Sequence, residues 1–282
     1  TCVIMKDPSA LGEVDLSTAP KVYPTDRYLN VSKSLAPTED IEKAATLLSK
    51  AKKPVIISGN GVHQSKTYAQ LQKISEKLVA GVATSYRGKG TFSEAHPLGL
   101  GVMGLFPEPT ANAVVAEADL ILVVGCRLGP SDTANENPLL IDPTQQKIIQ
   151  IDIEPRNVGW TFPVDVGLVG DAALILEQLE KATPEVPEAT RNQRKDHIEK
   201  QKLEHSYFTD AESVSDDFPI RPERLLQEIN SIVETNAIVA LDAGNNRVWT
   251  THYYQVKDPG ILLVPGGTAG MGWGPGAILG AK

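Results

Sequence analysis

The chain has 282 residues, 41% of them hydrophobic and 22% charged, and a formal net charge of −8. That length has room for two domains, the apolar fraction is that of a globular protein, and the acidic balance gives no electrostatic case for nucleic acid or an anionic membrane as a partner. The two cysteines, Cys2 and Cys126, lie far apart without metal-ligand spacing, which argues against a disulfide framework and for a reducing compartment, the cytoplasm.

Residues 1–37 hold one short apolar strand, CVIM, and then a stretch with Pro and Ser but no period; they are expected to be the end of a preceding domain and a linker. From Thr38 the pattern becomes regular. Thr38 is expected to cap a helix with acids in its first turn, Ile41, Ala44, Ala45 and Leu48 on one face, lysines at its end and Pro54 beyond. PVIISG then reads as a buried strand, followed by a helix with Tyr68, Leu71, Ile74 and Leu78 on one side. DLILVVG, KIIQIDIEP and VGLVGD repeat the strand pattern before the helical AALILEQLEK. Continuous Val/Ile/Leu strands alternating with helices predict an α/β domain over 38–183, built on a doubly wound parallel sheet.

Residues 184–217 are polar and charge-mixed, which predicts a solvated linker with one exposed helix; His197 and His205 in it are expected at the surface. Over 218–282 a second βα pattern begins. Pro222 suits a first helical turn, and Leu225, Leu226, Ile229, Ile232 and Val233 form the expected core-facing stripe. AIVALDAG reads as a buried strand and ILLV as a short one. Two strands cannot close a core, so this second α/β domain is expected to be incomplete as it stands.

In an open α/β sheet, ligands bind beyond the carboxyl ends of the strands. Gly59 and Gly61 lie in such a loop, either as part of a dinucleotide fingerprint that lacks its third glycine or as a tight strand-to-helix turn. Arg127 suits a phosphate or adenine, or else a surface ion pair. Asp152 suits a ribose hydroxyl, or else a turn cap. In DAGNN, Gly244, Asn245 and Asn246 offer N–H donors to a diphosphate, or make an Asx turn. VPGGTAGMGWGPGAILGAK sets Met271 and Trp273 among bare backbone, so that Met271 is a wedge against a flat ligand or an ordinary core residue.

PVIISGNGVH, GKGTFSEAHPLGLGVMG, EADLILVVGCRL, IIQIDIEP, PVDVGLVGD, IRPERLLQEIN, DAGNNRVW and GTAGMGWGPGAILGAK follow one another in an order that resembles the middle and carboxy-terminal part of thiamine-diphosphate-dependent enzymes of the acetolactate synthase and pyruvate oxidase type. The resemblance implies a six-stranded nucleotide-binding-type central domain like that of deoxyhypusine synthase, and then the start of the diphosphate-binding domain. It implies Met271 as the catalytic wedge that keeps the coenzyme bent, and Ala269, where many relatives have glycine, as the residue whose carbonyl meets the 4′-amino group. Gly244, Asn245 and Asn246 fall at diphosphate contacts. The activating glutamate and the Mg²⁺-binding Gly-Asp-Gly segment have no counterpart in this sequence. It is therefore expected to contain no metal site and to be inert by itself, as part of a homodimeric or homotetrameric parent that acts on a 2-oxo acid with thiamine diphosphate and Mg²⁺. Central domains of this family bind FAD, ADP or nothing; Gly59, Gly61, Arg127 and Asp152 are the candidates here, although the acids that follow the arginine in flavin-binding members are missing from GCRLGPSDT. The competing expectation is a nucleotide-binding module for FAD, ADP or NAD without lyase chemistry.

Overall fold

The computed structural model describes residue 17 and residues 32–205 and 207–281, so the expected strand CVIM lies outside the described residues. Residues from Lys33 onward form one compact unit. Its centre is a six-stranded, all-parallel sheet of β1 (Pro54–Ser58), β2 (Gly81–Thr84), β3 (Gly99–Val102), β4 (Leu120–Val124), β5 (Lys147–Asp152) and β6 (Val166–Val169). The spatial order is β3-β2-β1-β4-β5-β6, which is the doubly wound arrangement. β1 and β4 are buried along their whole length, as strands covered on both faces must be.

Helices α1 (Thr38–Lys50), α3 (Tyr68–Leu78) and α5 (Ala172–Ala182) pack together, while α4 (Pro109–Ala116) packs with α6 (Glu188–Glu204). Right-handed crossovers from β1 to β2 and from β3 to β4 run in opposite directions along the sheet, so the two groups lie on opposite faces. The short α2 (Asn60–Ser65) leads out of β1. α1 buries the predicted Ile41, Ala44, Ala45 and Leu48. Its amino terminus differs from expectation: the cap position falls on Pro37 and Thr38 is the first helical residue, so no side chain caps it.

The region expected to be solvated is anchored instead. α6 buries Arg194, Ile198 and Gln201. Arg194 donates to the carbonyls of Leu78 and, at 2.6 Å, of Ala51, groups left free where α3 and α1 end. His197, expected at the surface, is half-buried with its Nε2 3.7 Å from Glu117. No helix among the described residues is long and apolar enough to cross a membrane.

Beyond it come α7 (Pro222–Ile232), β7 (Val239–Ala240), α8 (Asn245–Tyr253), β8 (Leu262–Leu263) and α9 (Trp273–Ala281). β7 and β8 make a parallel two-stranded sheet over a small core of Leu241, Tyr254, Val256 and Leu262. The α7 stripe is only partly used. Leu226 is buried and Ile229 packs on this core, but Leu225 and Ile232 are 51% and 76% exposed. A sheet this narrow covers only a strip of the helix, and the expected buried strand AIVALDAG shrinks to two half-buried residues for the same reason.

Segment 85–94, after β2, joins the two parts. Gly260 N donates to Gly90 O at 2.8 Å and Glu94 N to Val256 O at 2.8 Å. Lys89 and Glu94 form a wholly buried ion pair, with Nζ 2.7 and 3.0 Å from the two carboxylate oxygens. Glu94 Oε2 also accepts from Val256 N at 3.0 Å and from the Tyr207 hydroxyl at 3.1 Å. This saturation keeps a buried carboxylate tolerable.

Candidate functional site

The chain changes direction about the sheet between β1 and β4, and their two following loops meet there at very close range. Gly59 N donates to Val124 O and Gly61 N to Gly125 O, each at 2.9 Å. A Cβ added to Gly59 would stand 2.3 Å from Gly125 O, and one added to Gly61 would stand 2.6 Å from Gly125 Cα. These glycines therefore serve loop-to-loop packing, and Gly61 also borders what lies outside it.

What lies outside is a cavity of about 370 Å³. Gly61, Arg127 and Asp152 line it, three of the four residues expected from the sequence, and Gly59 lies directly behind. Asn60, Ser85, Tyr86, Arg87, Asp132 and Asn157, which sequence reasoning missed, complete most of the wall. A smaller cavity of about 200 Å³ adjoins it through Gly61, Gly125 and Asp152 and runs to Gly170 and Asp171.

The electrostatics favour an anion with hydroxyl groups. Arg87 and Arg127 both line the cavity and neither makes an ion pair among the described residues, although the Arg127 charge acts on the Asp132 carboxyl and helps hold it down. Asp152 is buried, and one of its oxygens accepts from Glu154 N at 2.9 Å and Asn157 Nδ2 at 3.2 Å. One oxygen of Asp152 thus caps the turn, while the residue also lines the cavity. Asp132, five residues after Arg127, lines the same cavity. The turn at Leu128, with φ of 57°, swings it back to accept from Tyr86 N at 3.0 Å. Burial pushes its carboxyl up, opposed by that N–H. Burial also pushes up the Cys126 thiol behind the wall.

The second candidate region joins the DAGNN loop to the glycine stretch. The Asp242 carboxylate accepts from Ala243 N at 2.7 Å, Gly272 N at 3.0 Å and Gly274 N at 3.1 Å, and these N–H groups, Ala243 first, hold it below the usual range. Gly244, with φ of 97°, precedes α8. Asn246 does not make the expected Asx turn; its side chain reaches back to the preceding loop, Nδ2 donating to Ala243 O at 2.7 Å and Oδ1 accepting from Asp242 N at 3.3 Å. Asn245 is exposed, and its side chain makes no hydrogen bond among the described residues. Ala269 takes a φ of 48°, a left-handed conformation that glycine adopts more cheaply. Gly267, Gly270 and Gly272 have open space where a Cβ would stand, and Met271 between them is 93% exposed. A large apolar side chain standing free between bare backbone segments fits a flat ligand laid against it. Among the described residues no group of three or more His, Cys, Asp or Glu is placed to hold a metal ion.

The chain is similar to known proteins along most of its length. The profile of the thiamine pyrophosphate enzyme central domain matches residues 41–179. A probable acetolactate synthase large subunit of Methanococcus aeolicus is 34% identical over 253 residues, 86% of this chain and 42% of that protein. A sulfoacetaldehyde acetyltransferase of Roseovarius nubinhibens is 30% identical over 86% of this chain and 43% of its own length. The mitochondrial acetolactate synthase of Schizosaccharomyces pombe is 29% identical over the whole chain and 43% of its own length. The chain thus spans less than half the length of each of these relatives.

Proposed function

Because this chain belongs to the thiamine pyrophosphate enzyme family, we propose that it works within a thiamine-diphosphate- and Mg²⁺-dependent enzyme acting on a 2-oxo acid, with transfer of the resulting carbon unit to a second carbonyl. The observation that carries this is the exposed Met271 standing among glycines whose Cβ positions are open. The relatives' names, a synthase of acetolactate and an acetyltransferase, support ligation and transfer over oxidation. When bound, thiamine diphosphate supplies the carbon nucleophile that attacks the 2-oxo carbonyl and takes up the electrons left when carbon dioxide departs. This chain's own part is to shape that coenzyme. Met271 would stand between its rings, the Ala269 carbonyl would accept from the 4′-amino group, and Gly244, Asn245 and the first N–H groups of α8 would hold the diphosphate, where a helix amino terminus favours negative charge. Active sites are shared between subunits of a cytoplasmic homo-oligomer.

The test uses the full-length polypeptide that carries this segment. With pyruvate, thiamine diphosphate and Mg²⁺ it forms acetolactate or another acyl-transfer product, and Met271→Ala lowers kcat by roughly two orders of magnitude, the scale of losing a positioned reactive geometry. Absence of any 2-oxo acid consumption, or a Met271→Ala enzyme as fast as wild type, refutes the reading.

Arg87 and Arg127, which both line the central cavity and make no ion pair among the described residues, favour a second binding function in the same chain, an adenine nucleotide with its phosphates in that cavity. ADP or FAD at 100 times Kd stabilises the fold by about 2.7 kcal/mol. Arg127→Ala abolishes that gain. A melting temperature unmoved by either ligand at millimolar concentration removes this function and leaves the first intact.

A further inference from the structure

The wall of the central cavity and the base of the glycine stretch are made by the same residues. Tyr86 is fixed on its cavity side, where its N–H donates to Asp132 Oδ1 at 3.0 Å. On its other side the Arg247 guanidinium lies over its ring, 5.5 Å from the centroid. Arg247 belongs to the first turn of α8, directly after Asn245 and Asn246, and its Nη1 donates to Pro265 O at 3.3 Å. Its Nε is buried with no hydrogen-bond partner among the described residues, and no carboxylate pairs with it. The ring face therefore does most of the holding. Next to Pro265, Gly266 lies under Arg87: a Cβ there would come 2.7 Å from Arg87 Nη2.

We infer that Arg247, seated on Tyr86, is a positioning residue for residues 265–274: it fixes the glycine stretch relative to Asn245 and Asn246 and ties both to the cavity wall. A half-buried arginine on an aromatic face, with one bond to a backbone carbonyl, has no other task visible in the contacts around it. Three loops that arrive from different parts of the chain must be held in one register for a coenzyme to lie across them. The clamp does this from beneath, without occupying the open space above the glycines. Its role in catalysis rests on the reading of this stretch as the coenzyme loop; the clamp itself does not.

The experiment is therefore made without ligand, on this chain as it stands. Amide exchange is read at residues 272–274, whose N–H groups include the donors to Asp242 at Gly272 and Gly274. Arg247→Met and Tyr86→Leu each speed exchange there by about tenfold, the expected effect of losing a partly desolvated cation–π contact. Arg247→Lys and Tyr86→Phe restore most of the protection, since a cation over a ring survives in both. Exchange in β4 and β5 stays as in wild type for all four variants. Unchanged exchange at 272–274 in both Arg247→Met and Tyr86→Leu overturns the inference. So does an equal acceleration throughout β7, α8 and β8, or absence of rescue by Arg247→Lys. Failure of pyruvate turnover would bear on the proposed function and not on these rates.

Discussion

Replacing Glu108 by glutamine should flatten a pH dependence that this one carboxyl creates. Glu108 precedes α4, is buried, and has one carboxyl oxygen without a hydrogen-bond partner among the described residues. Burial, and then the neighbouring Glu94 and Asp210, push its pKa from the ordinary 4.5 up to about 8, while Lys89 and Lys202 pull the other way. In the unfolded chain the group ionises near 4.5; in the folded chain it keeps its proton to about 8. Between those values the folded state holds one more proton than the unfolded state, so stability falls as pH rises. At 1.36 kcal/mol per pH unit the whole interval corresponds to about 4–5 kcal/mol, and relaxation around the charged group brings the expected effect to about 2–4 kcal/mol. Urea unfolding of wild type and Glu108→Gln at pH 5, 6.5 and 8 reads this directly, because titrating groups remote from Glu108 cancel in the difference. The two proteins should agree within about 1 kcal/mol at pH 5, with the variant more stable by about 2–4 kcal/mol at pH 8. A difference that stays constant with pH would refute the reasoning.

Lys89→Met strands the Glu94 carboxylate in the interior with only neutral donors. It should cost about 3–5 kcal/mol in chemical denaturation, most of it recovered in Lys89→Met/Glu94→Leu. A loss below about 1 kcal/mol would show that the pair is not held as described. Gly59→Ala drives a methyl group into the Gly125 carbonyl and the Cys126 side chain, so the two loops must part. It should destabilise by more than about 2 kcal/mol and abolish nucleotide binding at the cavity, and a variant that melts with wild type contradicts that close approach.

Much of the sheet is legible in the sequence because its central strands are covered on both faces, and double burial leaves unbroken runs such as VIIS and LILVV. β2 and β3 carry no such mark. GVAT and GLGV are short and contain glycines required by close contact; a Cβ on Gly81 would stand 2.7 Å from a methyl carbon of Leu100. Arg127 and Asp152 could be picked out because a loop after a recognisable strand points to the carboxyl edge of the sheet. Tyr86 and Arg87 could not, since the strand before them is hard to see and their neighbours, Asp132 and Gly266, come from distant segments. α6 misleads for a related reason: its buried residues include Arg194 and Gln201, whose value lies in the helix ends they meet.

By itself the sequence determined the α/β class, the parallel sheet, the loops at the carboxyl edge of that sheet and the family motifs, all of which depend on residue type and local period. Only the tertiary structure decided which loops share one cavity, that Arg87 and Arg127 both line it, and that Arg247 rests on Tyr86. Those properties arise between residues far apart in the chain, where strand order and register set the distance and no local pattern records it.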